Sequence, residues 1–135
     1  MLENKEIILS ARNVVVEFEV RDRVLTAIRD ISIDLHQGEV LAVVGESGSG
    51  KSVLTKTFTG MLESNGRVAS GTINYRGKEL TKLKNHKDWE GIRGAKIATI
   101  FQDPMTSLDP IQTIGSQITE VIIKHQKNPS LRLKN

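Results

Sequence analysis

The chain has 135 residues, enough for one domain or one piece of a larger one, and 38% of them are hydrophobic with 11 glycines besides, a composition that excludes global disorder. No uninterrupted apolar stretch approaches the roughly 18 residues of a membrane span, the start Met1-Leu2-Glu3-Asn4 lacks a signal peptide's basic end, and the absence of cysteine excludes a disulfide framework and thiolate metal sites. The formal charge of +3 is uneven, with +4 in residues 76–96, +4 in residues 124–135 and −5 elsewhere, so the basic character is two local patches that read as solvated lysine-rich surface.

In chain order, Val14, Val16, Phe18 and Val20 alternate with Val15, Glu17, Glu19 and Arg21, the period of a strand with one buried face. Arg21-Asp22-Arg23 turns the chain. Ile31, Ile33 and Leu35 alternate with polar residues in a second strand closed by Gln37 and Gly38, and the two strands read as an antiparallel ribbon. The continuous apolar run Val40 to Val44 predicts a strand covered on both sides within a mostly parallel sheet. It runs into glycine-rich sequence, after which Lys51 to Leu62 has helical spacing. Thr72 to Lys78 predicts a strand and a glycine turn, Lys82 to Arg93 a short polar helical excursion, and Lys96 to Phe101 a strand that Gln102, Asp103 and Pro104 break. Ile111, Ile114, Ile118, Val121, Ile122 and His125 recur at steps of three and four, which predicts a helix ending before Pro129.

Gly45-Glu46-Ser47-Gly48-Ser49-Gly50-Lys51-Ser52 fits G-x-x-x-x-G-K-[ST] at each fixed position and lies between an expected strand and a helix start, where its mechanism requires. The glycines allow a tight turn in which successive N–H groups converge and, with the helix N-terminus, make an anion nest for β- and γ-phosphates. Lys51 adds a mobile positive charge, and the Ser52 hydroxyl is placed to ligate Mg²⁺. A phosphate cradle alone does not choose among kinases, GTPases and transport ATPases. Some 40 residues with two strands precede it, Phe18 is placed to stack on an adenine although an alternating strand would also use it as core, and the strand at Ile97 to Phe101 ends in Gln102.

Together these features resemble the nucleotide-binding subunit of an ABC transporter. Phe18 matches the A-loop aromatic, Gly45 to Ser52 the Walker A loop, and Gln102 the Q-loop glutamine. The strings Gly45 to Val53 and Phe101-Gln102-Asp103-Pro104-Met105-Thr106-Ser107-Leu108-Asp109-Pro110 look like the oligopeptide/dipeptide and nickel importer branch, with Asp109 in place of the usual Asn and no glycine in the turn at Arg21-Asp22-Arg23. The match runs from about Ile7 to Ile123.

The resemblance implies an α/β P-loop NTPase fold, with an antiparallel β subdomain and the start of a parallel core sheet. Residues 1–135 would be the amino-terminal part of an ATP-binding domain, ending before the signature and Walker B. ATP and Mg²⁺ are the implied ligands. Lys51 and Gln102 would act on the γ-phosphate, Ser52 and Gln102 would hold the metal, and Phe18 with Gly45, Glu46, Ser47, Gly48, Ser49, Gly50, Lys51, Ser52 and Val53 would bind nucleotide. The implied partners are transmembrane permease subunits through the loop 102–114 with its exposed Met105 and Leu108, a second ATP-binding subunit, and indirectly a substrate-binding protein. The implied place is the cytoplasmic face of the membrane, and no nucleic-acid partner is expected. A soluble ABC-type ATPase acting on nucleic acid or the ribosome, and an importer of nickel or another solute, are the alternative readings. Neither Ser-Gly-Gly nor an apolar run ending in Asp-Glu occurs, and His36, His86 and His125 lie away from the switch position. The whole protein is therefore expected to be an ATPase, and these residues alone inactive in hydrolysis.

Overall fold

The computed structural model describes residues 5–103 and 107–126 and divides into two compact units after Glu90. In the first unit, β1 (Ile7–Val20) and β2 (Arg23–His36) form the expected antiparallel ribbon. Val20 pairs with Arg23, and the two turn residues Arg21 and Asp22 both have positive φ, 44° and 61°. That is the backbone of a two-residue hairpin whose twist matches its strands. On the other edge of β1 lies β3 (Gly66–Tyr75), joined by Arg76 and Gly77, both again at positive φ, to the short β4 (Lys78–Glu79). The sheet order is β2-β1-β3-β4.

Strict alternation fails in β1 because the ribbon is bulged. Between the pairs Ala11–Ile33 and Val14–Ile31, β1 carries one extra residue, and between Val14–Ile31 and Val16–Ile28 the extra residue is on β2. Asn13 and Asp30 adopt positive φ at these places, and Asn13 Nδ2 donates to Asp30 Oδ1 at 2.8 Å. The offset puts Ala11, Val14 and Val16 inside, opposite Ile28 and Ile73, and leaves Val20 exposed at the hairpin end and Phe18 only half-buried.

Helix α1 (Lys51–Phe58) buries Leu54 and Thr57 and stops four residues short of the expected end. Gly60 is the reason. It takes φ +61°, its N–H reaches Thr57 O, and the Met61 N–H reaches Lys56 O at 2.8 Å, the paired bonds of a left-handed helix terminus. A β-carbon on Gly60 would lie 2.4 Å from the ring of buried Trp89, on the short helix α2 (His86–Glu90). The polar excursion after Lys82 is therefore anchored by one indole.

Four carboxylates of this unit are held below the usual range. Arg12 does this to Asp34, the His36 backbone N–H and ring to Glu39, Lys56 to Glu63, and Lys82 to Glu79. A lowered folded-state pKa contributes stability above the unfolded value, about 4, that is lost as pH falls through the folded value. The thermal midpoint should thus drop as pH goes below about 4, and Asp34→Asn should make that drop shallower; an acid limb unchanged in Asp34→Asn would refute the assignment of that pair.

The start of a parallel core sheet is not observed. Residues 40–44 carry no strand, with Val40 95% and Val44 89% exposed, and residues 98–101 carry none either, with Ile100 fully exposed. A parallel strand needs hydrogen-bonding neighbours and a cover on both faces. Among the described residues nothing pairs with 40–44, and the second unit has only the isolated parallel bridge Arg93–Ile97. That unit contains α3 (Ile114–His125), which Thr113 caps through the Ser116 N–H. The helix predicted from spacing is present, yet Ile114, Ile118, Val121 and Ile122 are all exposed.

Candidate functional site

The loop from Gly45 to Gly50 is built by its glycines. Gly48 and Gly50 sit at φ +78° and +92°, where other residues are strained. A β-carbon on Gly45 would lie 2.6 Å from Ser49 Oγ, and one on Gly50 would lie 3.0 Å from the Ala27 carbonyl oxygen. Ala27 is the extra residue of β2 between the pairs Val16–Ile28 and Glu17–Thr26. The bulge and the glycine thus seat the loop's end directly on the sheet.

Gly50 is also the N-cap of α1, without a side-chain cap bond, and the first turn carries no acidic residue. The opening N–H groups of a helix have no intrahelical acceptor, so those of Lys51, Ser52 and Val53 begin a positive helix end that the sequence does not neutralise. Lys51 completes the cradle. Its Nζ donates to Gly45 O at 2.7 Å, Glu46 O at 2.5 Å and Ser49 Oγ at 3.2 Å, while the Ser49 N–H reaches Glu46 O at 3.2 Å. The ammonium therefore closes the loop into a ring and stands inside it. A glycine-capped helix end under a fixed cation suits the phosphate chain of a nucleotide. Ser52 is exposed at the first turn; among the described residues no group of three or more His, Cys, Asp or Glu could hold a metal, so a cation here would depend on phosphate oxygens for most of its ligands.

The structure brings Gly45, Glu46, Ser49, Gly50 and Lys51 together and leaves Ser47, Gly48 and Ser52 exposed along the same turn, with Val53 half-buried behind them. Phe18 is on β1, two residues beyond Val16, the partner of Ile28, hence about 7 Å further along the strand. Its ring lies against Gly66, whose β-carbon would be 2.6 Å from Phe18 Cε1. Gln102 is exposed on a bend of the second unit. Pro104, Met105 and Thr106, on which the docking expectation partly rests, lie outside the described residues. The histidines are spoken for: His36 pairs with Glu39 at 2.9 Å, His86 faces Glu90 at 3.7 Å, and the His125 ring packs against Gly94. Sequence reasoning missed Ala27, since nothing in an apolar, β-competent stretch marks a bulge.

The ABC transporter family model matches residues 28–133. The chain is 76% identical over 126 residues to the oligopeptide transport ATP-binding protein AmiE of Streptococcus pneumoniae, and 47% identical over 126 residues to the dipeptide transport ATP-binding protein DppD of Lactococcus lactis. In both cases 93% of this chain is covered, and the chain spans 36% of the relative's length. The fold is similar to that of MJ0796, a bacterial ABC transporter cassette, with a TM-score of 0.75 at 20% identity over 89% of this chain and 49% of that one. The glycine-capped, lysine-closed loop sits inside the matched region, and with that match the chain belongs to the ABC transporter family.

Proposed function

We propose that residues 1–135 are the nucleotide-holding, amino-terminal part of an ATP-binding subunit that powers peptide import. The observation that carries this reading is the cradle: Lys51 Nζ on Gly45 O and Glu46 O, over a helix end capped by glycine alone. The names of the relatives, which are 76% and 47% identical, favour oligopeptides and dipeptides over nickel or nucleic acid.

The bound nucleotide, with Mg²⁺, supplies the scissile phosphoanhydride bond and most of the negative charge. The chain's own residues position it. The opening N–H groups of α1 and the Lys51 ammonium bind and orient phosphate oxygens, which costs little reorganisation because the lysine already holds the loop. The Ser52 hydroxyl is the metal ligand and Phe18, on the neighbouring strand, the adenine-side surface. Gln102 acts at the γ-phosphate, and the loop 102–114 meets a permease subunit. A second ATP-binding subunit completes the engine, a substrate-binding protein delivers the peptide, and the assembly works at the cytoplasmic face of the membrane. Among the described residues no helix is long and apolar enough to cross a membrane.

The test is reconstitution of the full-length protein with its two membrane subunits and binding protein in liposomes. ATP-dependent peptide accumulation is the expected result. Co-purification with ribosomes or DNA instead, without peptide uptake, would reject the importer reading.

A further inference from the structure

Helix α3 shows an inverted pattern. Its isoleucines face solvent, while Gln117 is half-buried. Long helical side chains lean toward the helix N-terminus, and that of Gln117 reaches back over the preceding loop. Its Oε1 accepts the Asp109 N–H at 2.9 Å, and its Nε2 donates to Asp109 O at 2.9 Å and Gln112 O at 3.1 Å. Both amide protons and the carbonyl are engaged. The orientation of the carboxamide is forced, because the backbone offers one donor on one side and two acceptors on the other. The loop is tied a second time by the Asp109 carboxylate, which accepts the Ile111 N–H at 3.0 Å and Gln112 Nε2 at 3.2 Å.

Loops ordinarily yield locally, having few internal bonds. This one begins five residues after Gln102 and is bonded to its helix like a turn of regular structure. We propose that Gln117 is a positioning residue of the transport reaction: its carboxamide makes residues 107–113 and α3 one stiff piece, so that a push on this loop moves the helix instead of being absorbed in the loop. This rests on the importer reading above, and it adds a residue outside the nucleotide cradle on which the ratio of transport to hydrolysis depends.

Gln117→Glu is the decisive variant, being nearly the same size and helix-compatible while replacing two donors with a carboxylate that faces two carbonyls. Peptide uptake and ATP hydrolysis are measured on the full-length protein in the reconstituted complex. Hydrolysis should stay within about threefold of the parent while peptide transported per ATP falls at least tenfold, and Gln117→Ala should behave alike. An unchanged ratio in Gln117→Glu overturns the proposal. So does a parallel loss of both activities, or failure of Gln117→Glu to assemble, because that is the behaviour of a merely structural residue. If the parent complex shows no ATP-driven peptide uptake, it is the importer reading that falls.

Discussion

Lys51→Ala should weaken Mg-ATP binding to the full-length protein at least tenfold, a loss of about 1.4 kcal/mol or more. Two effects add in the same direction. The substitution removes the only side-chain cation inside the loop, so phosphate oxygens meet the helix end alone. It also unties the loop, since the ammonium is what holds the Gly45 and Glu46 carbonyls and Ser49 Oγ to one centre. An ammonium has three protons, and here each has an acceptor. The longest contact, 3.2 Å to Ser49 Oγ, is the one a phosphate oxygen displaces at least cost. Lys51→Arg should not rescue, because a planar guanidinium cannot occupy a ring closed by two backbone carbonyls. Calorimetry on both variants and the parent decides the matter, and affinity equal to the parent's in Lys51→Ala would remove the lysine from the site.

The cradle was legible because its chemistry demands fixed residue types at fixed spacing, and local backbone geometry alone builds it: glycines at positive φ, a helix start, a lysine one residue into the helix. The ribbon was legible from alternation, and the ends of its hairpins from polar and glycine turns. What could not be read was whatever depends on partners distant in sequence. Val40 to Val44 has the composition of a buried parallel strand, but composition supplies no hydrogen-bonding neighbour, and among the described residues the run is unpaired. The same holds for Ile100 and for the apolar face of α3. A finer limit is set by the bulges at Asn13, Ala27 and Asp30, each one residue in excess, which shift the buried face of β1 without any mark in the hydrophobic pattern.

Those bulges carry the largest expected effect on stability. Gly71 of β3 lies opposite the extra residue of β1, between the pairs Arg12–Thr72 and Val15–Ser70, at φ +87°. A β-carbon there would fall 2.4 Å from Asn13 O and 2.5 Å from Arg12 O. Both are backbone atoms of the central strand, so neither can swing aside as a side-chain tip would. Gly71→Ala thus combines a left-handed penalty of about 1–2 kcal/mol with overpacking of about 1–3 kcal/mol, and should destabilise the protein by about 3 kcal/mol. Gly77 is the matched control, at φ +79° with nothing within 4 Å of its would-be β-carbon. Gly77→Ala should show the conformational penalty alone, and Gly77→Asn less, since asparagine tolerates this region. The difference between Gly71→Ala and Gly77→Ala in denaturant unfolding measures the backbone contact itself. Equal losses would mean that β1 and β3 can part at the bulge.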